Sequence, residues 1–202
     1  MKKSAFFVVL SVIALLLLPS ALWATKTLDN LQAAFNGESN AHARYVAFAA
    51  KADQDGYKQA AVLFRAAARA EEIHAANHAV VIKKLGATPQ AKIEKPDVKS
   101  TAENLKAAVK GEEYERDVMY PEFIKVARGE RNTDALTSFN YAKTAEAEHA
   151  SLYKNAGENL PKMKTAGVKY YVCTICGYTT TKIDFEKCPA CFNPKEKYVP
   201  VA

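Results

Sequence analysis

A chain of 202 residues that is 49% hydrophobic and 25% charged has room for one sizeable core and a small appendage, and shows no bias toward disorder. Its formal net charge of +6 comes from lysines and arginines scattered along the chain rather than interleaved with aromatics, which argues against a nucleic-acid surface. Without Lys2 and Lys3, 26 basic residues stand against 22 acidic ones, an excess of +4.

Residues 1–24 read as an export signal. Lys2 and Lys3 form a positive start, Ala5–Leu18 is an unbroken run of apolar and small residues, and Pro19–Ala24 offers a cleavage zone. The run is shorter than the roughly 18–20 residues that span a bilayer. The expected outcome is an exported, periplasmic protein with no stable membrane insertion once the signal is cleaved. Cleavage after Ala24 leaves the bulky Leu22 at the third position before the cut, so retention as an anchor stays open. A Sec-type route delivers the chain unfolded, and any metal is then acquired outside the cytoplasm.

Four long helical patterns follow, over residues 28–53, 58–85, 102–128 and 134–155, with Thr27 and Thr101 as N-caps. Asp55-Gly56 breaks the first pair and residues 129–132 break the second, so each pair forms an antiparallel hairpin. Residues 86–100, with Pro89 and Pro96, read as a crossover between the hairpins, which is the ferritin-like connection. Pro121 falls inside the third pattern and should bend that helix.

Two phrases are each written twice. T-x-(D/E)-N-L-x-A-A-x-x-G-E occupies residues 27–38 and 101–112, and F-x-x-A-x-x-A-E-x-x-H-A occupies 64–75 and 139–150. Their order makes the bundle a duplicated two-helix unit. Glu71 with His74, and Glu146 with His149, lie one helical turn apart on one face and can each grip an ion. A Glu from each of two helices plus Glu-x-x-His from the other two is the ligand set of carboxylate-bridged di-iron bundles. Glu38 lies 17 residues before Asp55 and Glu71 lies 15 after Gly56, so a helical rise of about 1.5 Å per residue levels them on neighbouring helices. Glu112 and Glu146 are levelled the same way in the second hairpin. Converging carboxylates in a helical core need cations to balance them, and oxygen ligands with two imidazoles suit iron or manganese.

Glu115 is a seventh candidate, one turn beyond Glu112, where the first half has Ala41. His78, one turn after His74, is expected on the surface or behind the ligands, and His42 is expected to face outward. Gly37 and Gly111, each preceding a ligand glutamate, are expected to mark close helix approach. Tyr45 and Tyr120 lie about two turns after Glu38 and Glu112; two readings stay open, core aromatics or donors to the carboxylates.

Residues 161–169 form a linker to a last segment, 170–202, that carries all four cysteines. Cys173-x-x-Cys176 and Cys188-x-x-Cys191 make two knuckles suited to tetrahedral iron or zinc, with two disulfides as the alternative. Tyr170, Tyr171, Phe185 and Tyr198 are expected to supply the small core around the metal.

These motifs resemble the rubrerythrin family: G-E-S-N-A-H-A-R-Y at Glu38, E-E-I-H-A at Glu71, G-E-E-Y-E and M-Y-P-E-F from Glu112 to Phe123, E-A-E-H-A at Glu146, and C-T-I-C-G-Y with C-P-A-C-F-N-P-K. The resemblance, which covers residues 27–198, implies an all-α ferritin-like four-helix bundle (residues 25–160) with a small rubredoxin-like four-cysteine domain. It implies bridging by Glu71 and Glu146, terminal ligation by Glu38 and Glu112, and His149 on one iron. The other iron exchanges Glu115 for His74 with redox state, and Tyr45 and Tyr120 hydrogen-bond ligand carboxylates. The implied activity is reduction of hydrogen peroxide to water, with electrons relayed through a rubredoxin-type iron from an unidentified donor. Family members pair head to tail as homodimers, so the thiolate site of one subunit serves the bundle of the other. The export signal is the departure, since nicotinamide-derived electrons are scarce outside the cytoplasm. A ferritin-type iron-oxidising protein with a zinc clip, and a disulfide-stapled bundle without chemistry, are the alternatives.

Overall fold

The structure, a computed structural model, describes residues 25–165 and 167–201; the expected export signal lies outside the described residues. The helices are α1 (Lys26–Gln54), α2 (Lys58–Lys84), α3 (Thr101–Tyr114), α4 (Tyr120–Gly129) and α5 (Thr133–Glu158), with a π turn, Glu115–Met119, joining α3 to α4. The strands are β1 (Tyr170–Cys173), β2 (Thr179–Thr180) and β3 (Tyr198–Val201). The four expected helical patterns are therefore present as two antiparallel hairpins, with the third pattern divided by the π turn. Among the described residues no helix is long and apolar enough to cross a membrane.

The helix starts correct one expectation. The caps are Thr25, which accepts from the Leu28 amide, and Ser100, which forms a capping box with Glu103. Thr27 and Thr101 instead lie inside the first turns, where acids from the opposite hairpin meet them. Asp55, in the α1–α2 turn, accepts from the Thr101 amide at 3.0 Å and its hydroxyl at 2.8 Å. Glu130, in the α4–α5 turn, accepts from the Lys26 and Thr27 amides, both at 3.1 Å. Each hairpin thus caps the other, placing a carboxylate at the positive end of a helix dipole. Gly56 and Arg131 hold the left-handed positions of the two turns, at φ of +79° and +56°.

The π turn has a reading in the repeat. Glu112 lies 74 positions after Glu38, whereas Tyr120 lies 75 after Tyr45 and Glu146 lies 75 after Glu71. The second half carries one extra residue between Glu112 and Tyr120, and the wider i→i+5 turn absorbs it. Pro121, which lacks an N–H and crowds the carbonyl four residues back, sits just past that turn, so the expected distortion is a π turn.

The crossover is extended and held by a ladder of amides one helical turn apart on α1. Gln32 bonds Thr88 and Gln90, Asn36 bonds the Lys92 amide, and Asn40 bonds the Lys92 carbonyl and Glu94 amide, at 2.8–3.1 Å. Gly37 and Gly111 do not mark close approach. A Cβ at Gly37 would meet nothing within 4 Å, and one at Gly111 would sit 3.8 Å from Arg44, an ordinary contact.

Two apolar clusters fill the bundle, one around Tyr45, Phe48, Phe64, Tyr153 and Leu105, the other around Leu31, Ile82, Tyr120, Ile124 and Phe139. Each of the leucine, isoleucine and phenylalanine side chains contributes about 1.5–3 kcal/mol when fully buried. The three-stranded antiparallel sheet, ordered β2-β1-β3, joins the bundle through the alternation of β1. Tyr170 and Val172 enter the bundle core, while Tyr171 and Cys173 face the cysteine cluster. Tyr170 is therefore not part of the small core to which the sequence pattern assigned it. Buried Gln59 of α2 pins the preceding linker, accepting from the Gly167 and Val168 amides and donating to the Val168 carbonyl, all at 2.8 Å.

Candidate metal centres

α1 contributes Glu38, α2 Glu71 and His74, α3 Glu112, the π turn Glu115, and α5 Glu146 and His149. All are buried, and Glu115, at 9%, is the most exposed of them. Their ligand atoms gather into two groups, each within 4.8 Å: Glu38, Glu71, His74 and Glu146, and Glu71, Glu112, Glu146 and His149. Glu71 and Glu146 belong to both. Glu115 belongs to neither, although burial and then the charges of Glu38 and Glu112 push its pKa well up.

The polar atoms aimed into this space are short of partners. Glu38 Oε2, Glu71 Oε1, Glu112 Oε2, both Glu146 oxygens and His149 Nδ1 are buried without a hydrogen bond. Imidazole nitrogens approach the carboxylates at 2.9–3.4 Å without hydrogen-bond alignment, as in His149 Nδ1 to Glu146 and to Glu71. Burial and then neighbouring carboxylates raise Glu38 and push Glu112 up to about 8. Glu71 goes the other way: burial opposes its charge, but His149 and His74 override it. Burial would lower both imidazoles, yet the surrounding carboxylates hold His74 and His149 well above their usual range. This much buried, mutually repelling acid is the donor chemistry that a pair of hard cations neutralises.

The tyrosines are core aromatics and donors at once. Tyr45 donates to Glu112 Oε1 at 2.6 Å, and Tyr120 donates to Glu38 Oε1, so each ties a carboxylate of the opposite hairpin. His78 is fully buried, not on the surface, between Tyr120 Oη at 3.1 Å and Ser138 Oγ at 2.8 Å. Burial, and then the charge of His74, pushes it down to about 3, so it is neutral. His42 does not face outward; it is half-buried, with Nδ1 2.8 Å from the Ala68 carbonyl.

The cysteine module lies on this centre, within the same chain. His74 Nε2–H donates to the Cys176 carbonyl at 3.0 Å. Thr179 donates to the Gly177 carbonyl at 3.1 Å, so its oxygen accepts from His149 Nε2–H at 3.0 Å. Both imidazoles are thereby fixed with Nδ1 turned toward the carboxylates, the outer-sphere arrangement that orients a metal-binding histidine. Asn77 adds a bond to the Ile175 carbonyl at 2.9 Å. Gly177 is required twice over: its φ is +78°, and a Cβ there would lie 2.3 Å from His74 Nε2.

The four cysteines are free and buried, so they form no disulfide staple. Sulfurs pair across the knuckles, Cys173 with Cys191 at 3.7 Å and Cys176 with Cys188 at 3.6 Å. A tetrahedron with metal–sulfur bonds of about 2.3 Å has edges of about 3.8 Å, so the sulfurs already stand at metal-binding separation. Tyr198 donates to Cys188 at 3.0 Å and Asn193 to Cys191 at 3.4 Å.

Comparison with known proteins places this architecture. The rubrerythrin family profile matches residues 29–157. Nigerythrin of Nitratidesulfovibrio vulgaris is 42% identical over 173 residues, 85% of each chain. The chain belongs to the rubrerythrin family. Rubrerythrin-2 of Clostridium acetobutylicum is 35% identical, covering 85% of this chain and 95% of its own. Fully reduced, all-ferrous nigerythrin matches with a TM-score of 0.80 at 40% identity, over 86% of both chains. A Desulfovibrio desulfuricans bacterioferritin, at 23% identity and a TM-score of 0.63 over 69% of this chain and 82% of its own, shares the fold alone.

The cofactors of this rubrerythrin-family chain are a carboxylate-bridged pair of non-haem irons and one metal held by four cysteine thiolates, a donor set that suits iron or zinc. Sequence reasoning missed Gly177, Thr179, Asn77 and Ser138 as neighbours of the centre. Gly177 carried a signal, since it follows a C-x-x-C knuckle; the others carried none, because only long-range packing brings them there.

Proposed function

We propose that this rubrerythrin is a non-haem di-iron peroxidase that reduces hydrogen peroxide to water and protects against oxidative stress, with electrons relayed through the tetrathiolate iron from an external donor. The observation that carries this reading is the pair of hydrogen-bonded links from the two imidazoles to the cysteine turn, through the Cys176 carbonyl and through Thr179 to the Gly177 carbonyl. A zinc clip or a staple has no need to touch both. When bound, the reduced iron pair supplies the two electrons that cleave the O–O bond. The chain's residues do the rest. Glu71 and Glu146, shared by both groups, would hold both ions; Glu38 and Glu112 would each hold one, with Tyr45 and Tyr120 keeping their carboxylates from rotating. Glu115 and His74 would serve one metal position in turn; His74 stands within the ligand group and Glu115 beside it. The two apolar clusters keep bulk water out.

Within one chain the relay needs no second subunit, although a head-to-tail homodimer remains part of the proposal, checked by light scattering. We also propose export to the periplasm, on the strength of residues 1–24; sequencing the N-terminus of the cellular protein tests it. The reading as a whole is tested by supplying reductant and peroxide to the full chain with iron at all three positions, and again with zinc in the cysteine cage. The expected result is sustained peroxide turnover that zinc abolishes. Equal turnover with zinc rejects the relay, and iron oxidation by dioxygen without peroxide turnover favours the ferritin-type alternative.

A further inference from the structure

Three hydrogen bonds lead from Ser138, at the edge of the core, to the outer edge of Glu38. Ser138 Oγ lies 2.8 Å from His78 Nδ1, His78 Nε2 lies 3.1 Å from Tyr120 Oη, and the Tyr120 hydroxyl donates to Glu38 Oε1. The direction of each bond follows from counting donors. Tyr120 has one O–H and directs it at Glu38, so its oxygen accepts the His78 Nε2–H. A neutral imidazole protonated at Nε2 has a bare Nδ1, which accepts the Ser138 hydroxyl. All three donors therefore point inward.

The outer end, Ser138, is 5% exposed and borders a surface groove. Ser138 lines a groove of about 190 Å³ between α2 and α5, together with Asn77, Thr137 and Tyr141. Lys84 and Asp134, paired at 2.9 Å and both exposed, stand on the same groove. The repeat shows that the fold does not demand this path. The residue four after His149, matching His78, is Tyr153, whose hydroxyl is buried without a partner. His78 and Ser138 instead place polar groups beside Phe139 and Ile82, in a cluster that apolar side chains would fill at lower cost.

We infer that Ser138, His78 and Tyr120 form a proton path from the α2–α5 groove to the Glu38 side of the di-iron centre. The inference rests on the peroxide reading. In that reaction the O–O bond of one hydrogen peroxide breaks, two electrons come from the reduced metal pair, two protons come from solvent, and two waters leave. One inward pass moves the Tyr120 proton to Glu38 Oε1, the His78 Nε2 proton to Tyr120, and the Ser138 proton to His78 Nδ1. Glu38 passes its proton to an oxygen of the cleaved peroxide, groove water restores the Ser138 proton, and the His78 ring turns to present its N–H to Tyr120 again, so two passes deliver the two protons.

The test uses the full chain loaded with iron, reduced anaerobically and mixed with peroxide in H2O and in D2O. Wild type, Ser138→Ala and His78→Gln are compared, with iron content and tetrathiolate absorption measured on each. Glutamine at 78 keeps polar bonds but does not shuttle a proton. Both variants should retain full iron and colour, yet reoxidise about tenfold more slowly or worse, and lose the wild-type slowing in D2O. Nitrogen NMR on the zinc-loaded, diamagnetic full chain should show the His78 proton on Nε2. Ser138→Ala as fast as wild type with the same D2O dependence, or a proton on Nδ1, overturns the inference while leaving the peroxide reading intact. A wild-type protein inert to peroxide overturns both.

Discussion

The first hairpin, α1 with α2, and the second, α3 and α4 with α5, follow one plan and differ where a single extra residue enters the second. The shared plan supplies what is symmetric: one Glu-x-x-His from each half whose glutamate belongs to both ligand groups, one further glutamate from each, and a tyrosine from each tied to the other's carboxylate. The extra residue supplies what is not. It forces the π turn, and that turn begins at Glu115, opposite Ala41 of the first half. A duplicated scaffold builds a two-metal site cheaply, and breaking the duplication at one turn makes the two metal positions unequal. π turns are frequent at functional sites for this reason: they re-aim one side chain without moving the helix ends.

The symmetric part breaks most severely. Glu71→Ala removes a carboxylate that belongs to both groups, so iron content should fall from about three atoms per chain to about one, with the tetrathiolate colour kept. Retention of a single bundle iron would show that Glu71 serves only one position. Next in size is Gly177→Ala, which strains a left-handed position and drives a methyl into His74. It should cost about 1–3 kcal/mol in denaturant unfolding and slow electron passage from the thiolate iron to the bundle by tenfold or more (about 1.4 kcal/mol).

The asymmetric part is sharpened by Glu115→Ala, which makes the second half resemble the first at that position. Peroxide turnover should fall about tenfold while iron content and tetrathiolate colour stay, a loss of ~1.4 kcal/mol in transition-state stabilisation; unchanged turnover would remove the exchange of Glu115 and His74 from the account. Smaller effects test the reciprocal caps. Asp55→Ala and Glu130→Ala should each destabilise by about 1 kcal/mol, and by similar amounts if the halves are equivalent here. Hydrogen bonds from Lys51 and Thr101 hold the Asp55 pKa down to about 2. Because the folded value is depressed, the contribution of Asp55 is present above its ordinary pKa of 3.8 and is lost as the pH falls toward 2. Thermal unfolding of Asp55→Asn should therefore depend less on pH in that window than wild type does. The smallest change is Asn36→Ala in the crossover ladder, about 0.5–1.5 kcal/mol, with faster hydrogen exchange at the Lys92 amide and no change in turnover.

The ligand residues were legible because the repeat printed them twice, and a doubled, levelled set of acids has few structural readings. The hairpins were legible from Asp55-Gly56 and the break after Gly129. The true caps were not, because Thr27 and Thr101 are good capping residues whose partners, Glu130 and Asp55, lie about a hundred and about fifty residues away in sequence. Pro121 announced a distortion but not its type, which depends on the one-residue offset between the halves. Gly37 and Gly111 recur without a packing reason in this structure. The docking of the cysteine module was invisible for a further reason: the alternation of β1 splits its side chains between two cores, and periodicity alone does not say which core lies on which side.

The central claim is that the bundle centre and the tetrathiolate iron act as one electron-sharing unit. The most direct measurement is anaerobic reduction of the full iron-loaded chain, followed by a small excess of hydrogen peroxide with both chromophores recorded by stopped flow. The account predicts that the bundle irons oxidise first and that the tetrathiolate iron follows within the same turnover. A tetrathiolate iron that stays ferrous while the bundle is oxidised would contradict it.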